Sequence, residues 1–475
     1  MKRYLTLLVA AIALCGTTAA QMRTAYFMEG SYFRTDMNPA LAPTRGYIAL
    51  PALGGVGLNL NNNFLSVDNM FYKRGGEIVT FLNEQVTTDE FMKKMPKIGA
   101  LGLNADVNLL GFGAHTKRMF WNVSMRMRSQ TDVSLNSDIF STLKSLGNGR
   151  HEFAGTSINS LNFMELGVGV AIPIKQIATV GVRVKGLLGL AHLQADLGSM
   201  YADVNSRAVT GSVRGNLRAA GVLFHSGYPP GSTDITDAMI NFEGQSVGEV
   251  MKMALGQMKS GGVAIDLGAE VRLLDDHLRI SAALTDLGFI SRGKGTIVKG
   301  EANADFLFEG INFESGEAAA DGSAELLLTD PGTKGYTTRL NCTLNVGVEY
   351  NILNNHIAFG LLSHTEFRPS TTLTELTASV NFRIGRWFTT TLSHTFLNRN
   401  RPGIFGFALN VHPTGVNFFL GADFIGTQFA KYDTIPLPMY MKSVNVYAGL
   451  GFTLGKAKYM KCMQTPSKRE KKSKK

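Results

Sequence analysis

Between Arg339 and Asn351 the chain alternates without interruption. Leu340, Cys342, Leu344, Val346, Val348 and Tyr350 are apolar, while Arg339, Asn341, Thr343, Asn345, Gly347, Glu349 and Asn351 are polar or small. A period of two marks an extended strand with a different solvent on each face. A strand of an ordinary soluble sheet runs to about 5–6 residues, whereas one that crosses a bilayer needs roughly 9–11, apolar outward and polar inward. This stretch has the length and pattern of the second kind.

The pattern recurs along the chain, at Tyr47–Asn61, Gly99–Gly113, Met119–Arg128, Met164–Ile172, Val180–Lys185, Val263–Leu273 and Leu278–Leu287. After Arg339–Asn351 it returns at Ile357–Glu366, Leu376–Phe382, Trp387–Phe396, Phe405–Val411, Val416–Phe424 and Met441–Leu454. Every second connection is tight (115–118, 173–177, 274–277, 353–356, 385–386, 413–415) and those between are long. The pattern predicts an all-β protein, a transmembrane antiparallel β-barrel of about 14 strands over residues 46–454. Such barrels keep short turns on the periplasmic side, so both termini are expected there. Trp121 and Trp387 fall beside short turns, where an aromatic girdle belongs. Three long connections have helical spacing, at 78–95, 139–146 and 247–258, and are expected to form helical extracellular loops. They would gate the mouth or pack on one another. If the register holds, Val346→Arg should cost about 2–4 kcal/mol on the lipid face, and Asn345→Arg in the lumen should be silent.

The first residues change the picture. Lys2 and Arg3 precede an apolar run, Leu5–Leu14, and small residues up to Ala20. This predicts a signal peptide over 1–20, with Leu14 before Cys15 arguing against a lipid anchor. Beyond Ala20 no run reaches the roughly 18 apolar residues of a membrane helix. Outer-membrane lipid is therefore the expected surroundings.

The net charge of +10 is a matter of the ends. Lys2 and Arg3 leave with the signal, and the segment 455–475 carries a net +8, which leaves a neutral body. A nucleic-acid partner is not implied; the tail is expected to be a disordered basic periplasmic segment. Cys342 and Cys462 build no disulfide framework. No hydrolase, zinc or nucleotide motif occurs, so neither a catalytic residue, a metal site nor a cofactor is called and no enzyme is expected. His364 and His394 sit in similar strings, but their registers put them on different faces.

On the polar faces stand Arg126, Arg128, Arg183, Lys185, Asp266, Glu270, Arg272, Arg339 and Glu349. They are expected to line the lumen with mixed charge. Such a set serves as an ion-pair network stiffening a wide barrel, or as a selectivity path for polar solutes. A catalytic carboxylate pair is a third alternative.

Residues 21–45 precede the first strand and hold Tyr26, Phe27, Tyr32 and Phe33, then Asn38-Pro39-Ala40. A segment with this motif ahead of about 14 strands resembles the FadL family of outer-membrane channels, and related PorV-like barrels of Bacteroides-type bacteria. The resemblance implies that 21–45 is a plug. It also implies that small hydrophobic molecules pass through the plug toward a lateral opening, as in the FadL family, but it places none of that family's ligand-binding residues on this sequence. Tyr26, Phe27, Tyr32 and Phe33 supply either an apolar path through the plug or its packing against the wall. PorV-like relatives serve secretion instead, which leaves a second expectation. That one is a non-transporting scaffold binding a surface or secretion protein through the connections at 193–261 and 288–336.

Overall fold

A computed structural model describes residues 23–455 apart from 65–66, 76, 146–148, 154, 176, 205–208, 223, 240–258, 312–317, 333, 369–371, 385–386, 397–403, 426–428, 433–434 and 439–442. The expected signal peptide, the basic tail beyond 455, the helical face at 247–258 and the turn at 385–386 lie outside the described residues. No described helix is long and apolar enough to cross a membrane.

Fourteen antiparallel strands close on themselves. They are β1 (Gly46–Ala49 and Val56–Asn62), β2 (Ile98–His115), β3 (Phe120–Asn136), β4 (Thr156–Ile174) and β5 (Ala178–Val204). β6 (Ser260–Leu273), β7 (Leu278–Arg292), β8 (Cys342–Ile352), β9 (Ile357–Phe367) and β10 (Thr372–Ile384) follow. β11 (Phe388–Phe396), β12 (Ile404–Val411), β13 (Asn417–Ile425) and β14 (Ser443–Leu454) complete the wall. Each pairs with its neighbours in sequence, and β14 pairs back with β1, Ile48 opposite Phe452 and Leu58 opposite Val446. Closure removes the free edges that a lipid solvent does not tolerate.

The two faces take different solvents. On β8, Leu344, Val346, Val348 and Tyr350 are 37–47 % exposed, while Thr343, Asn345, Glu349 and Asn351 are at most 2 % exposed. The first set forms part of an apolar outer belt that recurs around the barrel. Val346→Arg is thus expected to destabilise by about 2–4 kcal/mol, measured by urea unfolding in vesicles. A loss below about 0.5 kcal/mol would place Val346 away from lipid. The companion expectation, a silent Asn345→Arg, fails. Asn345 Nδ2 donates to Met37 O at 3.0 Å, and Asn345 Oδ1 lies 2.7 Å from His364 Nδ1. The lumen at this level is filled, and an arginine there would displace its neighbours.

The Arg339 expectation also needs correction. Arg339 is exposed on the outer face, paired with Phe289, and does not line the lumen. Two irregularities flip the parity. Asp286 sits in β7 at a left-handed φ of 62°, where the pairing with β6 shifts register. Opposite, Leu340 and Asn341 interrupt the strand and both turn inward, Leu340 onto Leu161, Phe163 and Ile290.

The helical expectation at 78–95 is largely replaced. Glu77–Thr80 is a strand paired with Phe71–Arg74, and only Thr88–Met92 is helical, capped by Thr87 Oγ1 accepting from Glu90 N at 3.2 Å. The second expectation holds as Asp138–Ser145. The two loops pack together through Phe81, Phe91 and Phe140, Phe81 stacking on Phe91 at 4.6 Å between ring centres. At the same end of the barrel β5 runs on into a four-stranded sheet with Val209–Gly221, Ile297–Ile311 and Ala318–Thr329.

Candidate solute path through the barrel

Residues 23–45 lie inside the wall, and most are fully enclosed. Three of their charged residues, Arg23, Glu29 and Asp36, make ion pairs with the wall. Arg23 meets Glu375 at 2.6 Å, and the Asp423 carboxylate accepts from the backbone N–H groups of Arg23 and Thr24 at 3.1 and 3.3 Å. Glu29 meets Arg279 and accepts from Asn355 at 3.2 Å. Burial pushes the Glu29 carboxyl up, but the Arg383 and Arg279 guanidiniums outweigh it and hold it well below the usual carboxylate range. Asp36 pairs with Arg183 and, at 3.2 Å, with Arg126.

Glycines on the lumen face make room for the rest. Gly181 and Gly268 are direct partners across β5 and β6, and Asn38-Pro39-Ala40 rests on this pair. The Asn38 side chain holds the bend, accepting from Ala40 N at 2.9 Å and donating to the Tyr26 hydroxyl at 3.2 Å. Phe27 fills the space beside Gly347 and Gly360. Tyr32 stacks on Tyr47 with ring centres 4.4 Å apart, and Phe33 meets Phe419 at 4.1 Å. All four aromatics of the segment are buried against the wall.

The charges expected in the lumen, Arg339 aside, are all brought inside. They join partners that the sequence reading did not name: Glu165, Asp286, Asp106, Arg279 and Arg383. Glu165 contacts Arg126 and, at 2.8 Å, Arg128, which also reaches Asp286 at 2.7 Å. Lys185 lies 2.7 Å from both Asp266 and Asp286. Nearer the short turns, Glu270 pairs with Arg272 at 2.6 Å and Glu349 with Arg383. Parity alone signalled Glu165, which alternates with Met164 and Leu166; nothing local signalled Asp286 at its bulge. Among the described residues no cluster of His, Cys, Asp and Glu is arranged to hold a metal ion.

Walls far apart in the strand order also touch. Asn104 on β2 donates to Glu366 on β9 at 3.3 Å, and Asn341 donates to Asp132 on β3 at 3.0 Å. In a ring of 14 strands, β2 and β9 stand opposite, so the barrel is flattened at this level.

The wall itself is interrupted once along β1. Ala49 pairs with Gly451 and Val56 with Ala448, so six residues, 50–55, stand opposite two of β14. Pro51, Ala52 and Leu53 bulge outward and are exposed, while Gly54 and Gly55 stay buried. Tyr32 donates its hydroxyl proton to Gly54 O. The Phe33 ring takes the space a side chain at Gly55 would need, 2.1 Å from the Cβ position. Directly behind lies a cavity of about 30 Å³ lined by Phe33, Asp36, Met37, Gly55, Gly57, Asp106 and Arg126.

Residues 39–423 match the family described as "Family of unknown function (DUF5723)". The chain belongs to this family. A search of curated proteins finds no match to this DUF5723 chain. Among solved structures it is similar to the toluene transporter TbuX of Ralstonia pickettii, at 9 % identity and a TM-score of 0.40, over 89 % of this chain and 93 % of that one. A deletion mutant of TodX, a monoaromatic hydrocarbon channel, aligns at 10 % identity and 0.34, over 88 % and 92 % of the two chains. The translocator domain of the autotransporter NalP from Neisseria meningitidis gives 8 % and 0.28, over 91 % and 97 %. At such scores the fold assignment rests on the strand pairing itself.

Proposed function

We propose that this DUF5723 chain is an outer-membrane channel for passive uptake of small hydrophobic molecules, plugged by residues 21–45 and opening sideways at 50–55. The signal peptide over 1–20 directs export, and both termini face the periplasm. The observation that carries the reading is the break in β1. A six-residue bulge with apolar, lipid-exposed side chains lies over a cavity whose inner wall is the plug residue Phe33. The regular ladder is interrupted there: four backbone bonds, Leu50 N to Leu450 O, Leu450 N to Leu53 O, Ala52 N to Asn108 O and Asn108 N to Gly55 O, tie the bulge to its neighbours. A solute moving between lumen and lipid parts these few bonds and needs Phe33 to swing off Gly55. Tyr26, Phe27 and Tyr32 line the way behind it, and Asn38-Pro39-Ala40 anchors the segment to the wall. The lumen charges serve as an ion-pair network that braces the barrel and fixes the plug. Resemblance to the FadL family supports the same reading.

The test is flux of a toluene-sized apolar dye into vesicles. Phe33→Ala is expected to raise flux at least about fivefold over the unaltered protein, because truncating a buried aromatic leaves an unfilled cavity. Flux equal to that of protein-free vesicles for both proteins would end the channel reading.

One observation favours a second reading, a scaffold of the PorV-like kind. The sheet built by β5, Val209–Gly221, Ile297–Ile311 and Ala318–Thr329 exceeds what gating needs, and one edge of its last strand pairs with no other strand among the described residues, although Leu328 there bonds to Gly231 and Ser232. A partner protein retained by the intact chain and lost on removing 297–329, with flux absent, would select it.

A further inference from the structure

Three neighbouring strand ends carry positive charge alone. Lys259 precedes β6, Lys294 follows β7, and Lys334 and Arg339 lead into β8; all four are exposed. Backbone pairing sets them side by side. Gly293 N donates to Lys259 O at 3.0 Å, Arg292 is opposite both Ser260 and Tyr336, and Arg339 is opposite Phe289. With strands about 5 Å apart, the three lysines span roughly 10 Å across the wall. The stretches 259–265, 287–300 and 331–342 contain no Asp or Glu. The nearest carboxylate in sequence, Asp330, accepts from Gly332 N at 2.8 Å. None of the four bases forms a salt bridge among the described residues. Just toward the barrel's middle, on the outer face, Val263, Leu287 and Phe289 are 44–55 % exposed. Lys259 and Arg339 share their parity. The positive patch thus begins where the apolar belt ends, at the level of lipid headgroups.

Basic clusters at the edge of a membrane span recruit anionic headgroups. Lysine and arginine stems lie along apolar surface while their charges reach the interface. We infer that Lys259, Lys294, Lys334 and Arg339 form a docking surface for the phosphate groups of outer-leaflet glycolipid. This rests on the proposed orientation, long connections outward, and not on transport.

The test measures phosphorylated glycolipid retained by protein purified from its native membrane, by mass spectrometry. The fourfold variant Lys259→Gln, Lys294→Gln, Lys334→Gln and Arg339→Gln is expected to retain at least about tenfold less than the unaltered protein. A control variant at the opposite end, Lys117→Gln, Arg118→Gln and Lys175→Gln, should retain it fully. Unchanged retention in the first, equal loss in the second, or preference for anionic phospholipid over glycolipid in mixed vesicles would each overturn the inference. Should the fourfold variant not fold, the unaltered protein decides: glycolipid released as salt rises from 0.1 to 1 M, about a threefold shorter screening length, supports the surface, and retention indifferent to salt counts against it. Dye flux is not read, so a failure here leaves the channel reading untouched.

Discussion

Valine in place of Gly181 or Gly268 is expected to unseat residues 23–45 and leave the barrel wall standing. A Cβ at Gly181 would lie 2.2 Å from both Ala40 N and the Pro39 carbonyl carbon; one at Gly268 would lie 2.1 Å from Asn38 Oδ1. The obstacle is backbone and a hydrogen-bonded buried amide, so only movement of the segment relieves it. Forcing atoms into a filled interior costs about 1–3 kcal/mol, and the rigid partner puts this case near the upper end. Moving away also breaks the Asn345–Met37 and Tyr26–Ser281 contacts. Valine itself suits a strand, so heat-modified gel mobility should be kept. Limited trypsin digestion gives the answer at Arg34, which is 2 % exposed in the seated segment. Cleavage there within the folded barrel is the expected result. Protection as complete as in the unaltered protein would show that the glycine pair does not seat the segment.

Glu165→Gln should be the most damaging single change within the ion network. Glu165 is 0 % exposed and shared by Arg126, Arg128 and, at 3.7 Å, Lys185. The amide keeps the shape and removes the charge, leaving three enclosed cations short of one counter-charge. Removing one member of a buried ionic set costs about 3–5 kcal/mol. Glu152 gives the contrast. Its side chain is 73 % exposed and meets Arg150 at 3.3 Å, an arrangement worth about 0–1 kcal/mol. Urea unfolding of both Gln variants in the same detergent compares them. Equal losses would mean that the lumen charges are solvated and not a network.

The wall was legible because each strand residue reports its own solvent. Val346 and Asn345 need no knowledge of any distant residue to be assigned to opposite faces. Legibility stopped where a residue's place depends on a partner strand. Arg339 continues the alternation of β8 by the letter, yet the Asp286 bulge in β7 and the break at Leu340–Asn341 turn it outward. The helical spacing at 78–95 reflects Val79, Phe81 and Phe91 gathering into one apolar cluster, which a small hairpin and one helical turn do as well. Gly181 and Gly268 were invisible for a different reason. On the polar face a glycine reads as neutral filling, and only the segment lying upon it reveals the notch.

The hydrogen bond from Arg23 N to Asp423 spans 400 residues of chain, and Asn417 Nδ2 holds Gly30 O at 2.9 Å. β13, which carries these groups, is among the last strands to be made. Contacts of such separation form late, after the entropy of closing the intervening chain has been met. The segment that is synthesised first is therefore among the last to find its place. Until β13 arrives, Phe33 lacks Phe419 to pack on, and Arg23 and Gly30 lack the groups that tether them to the wall.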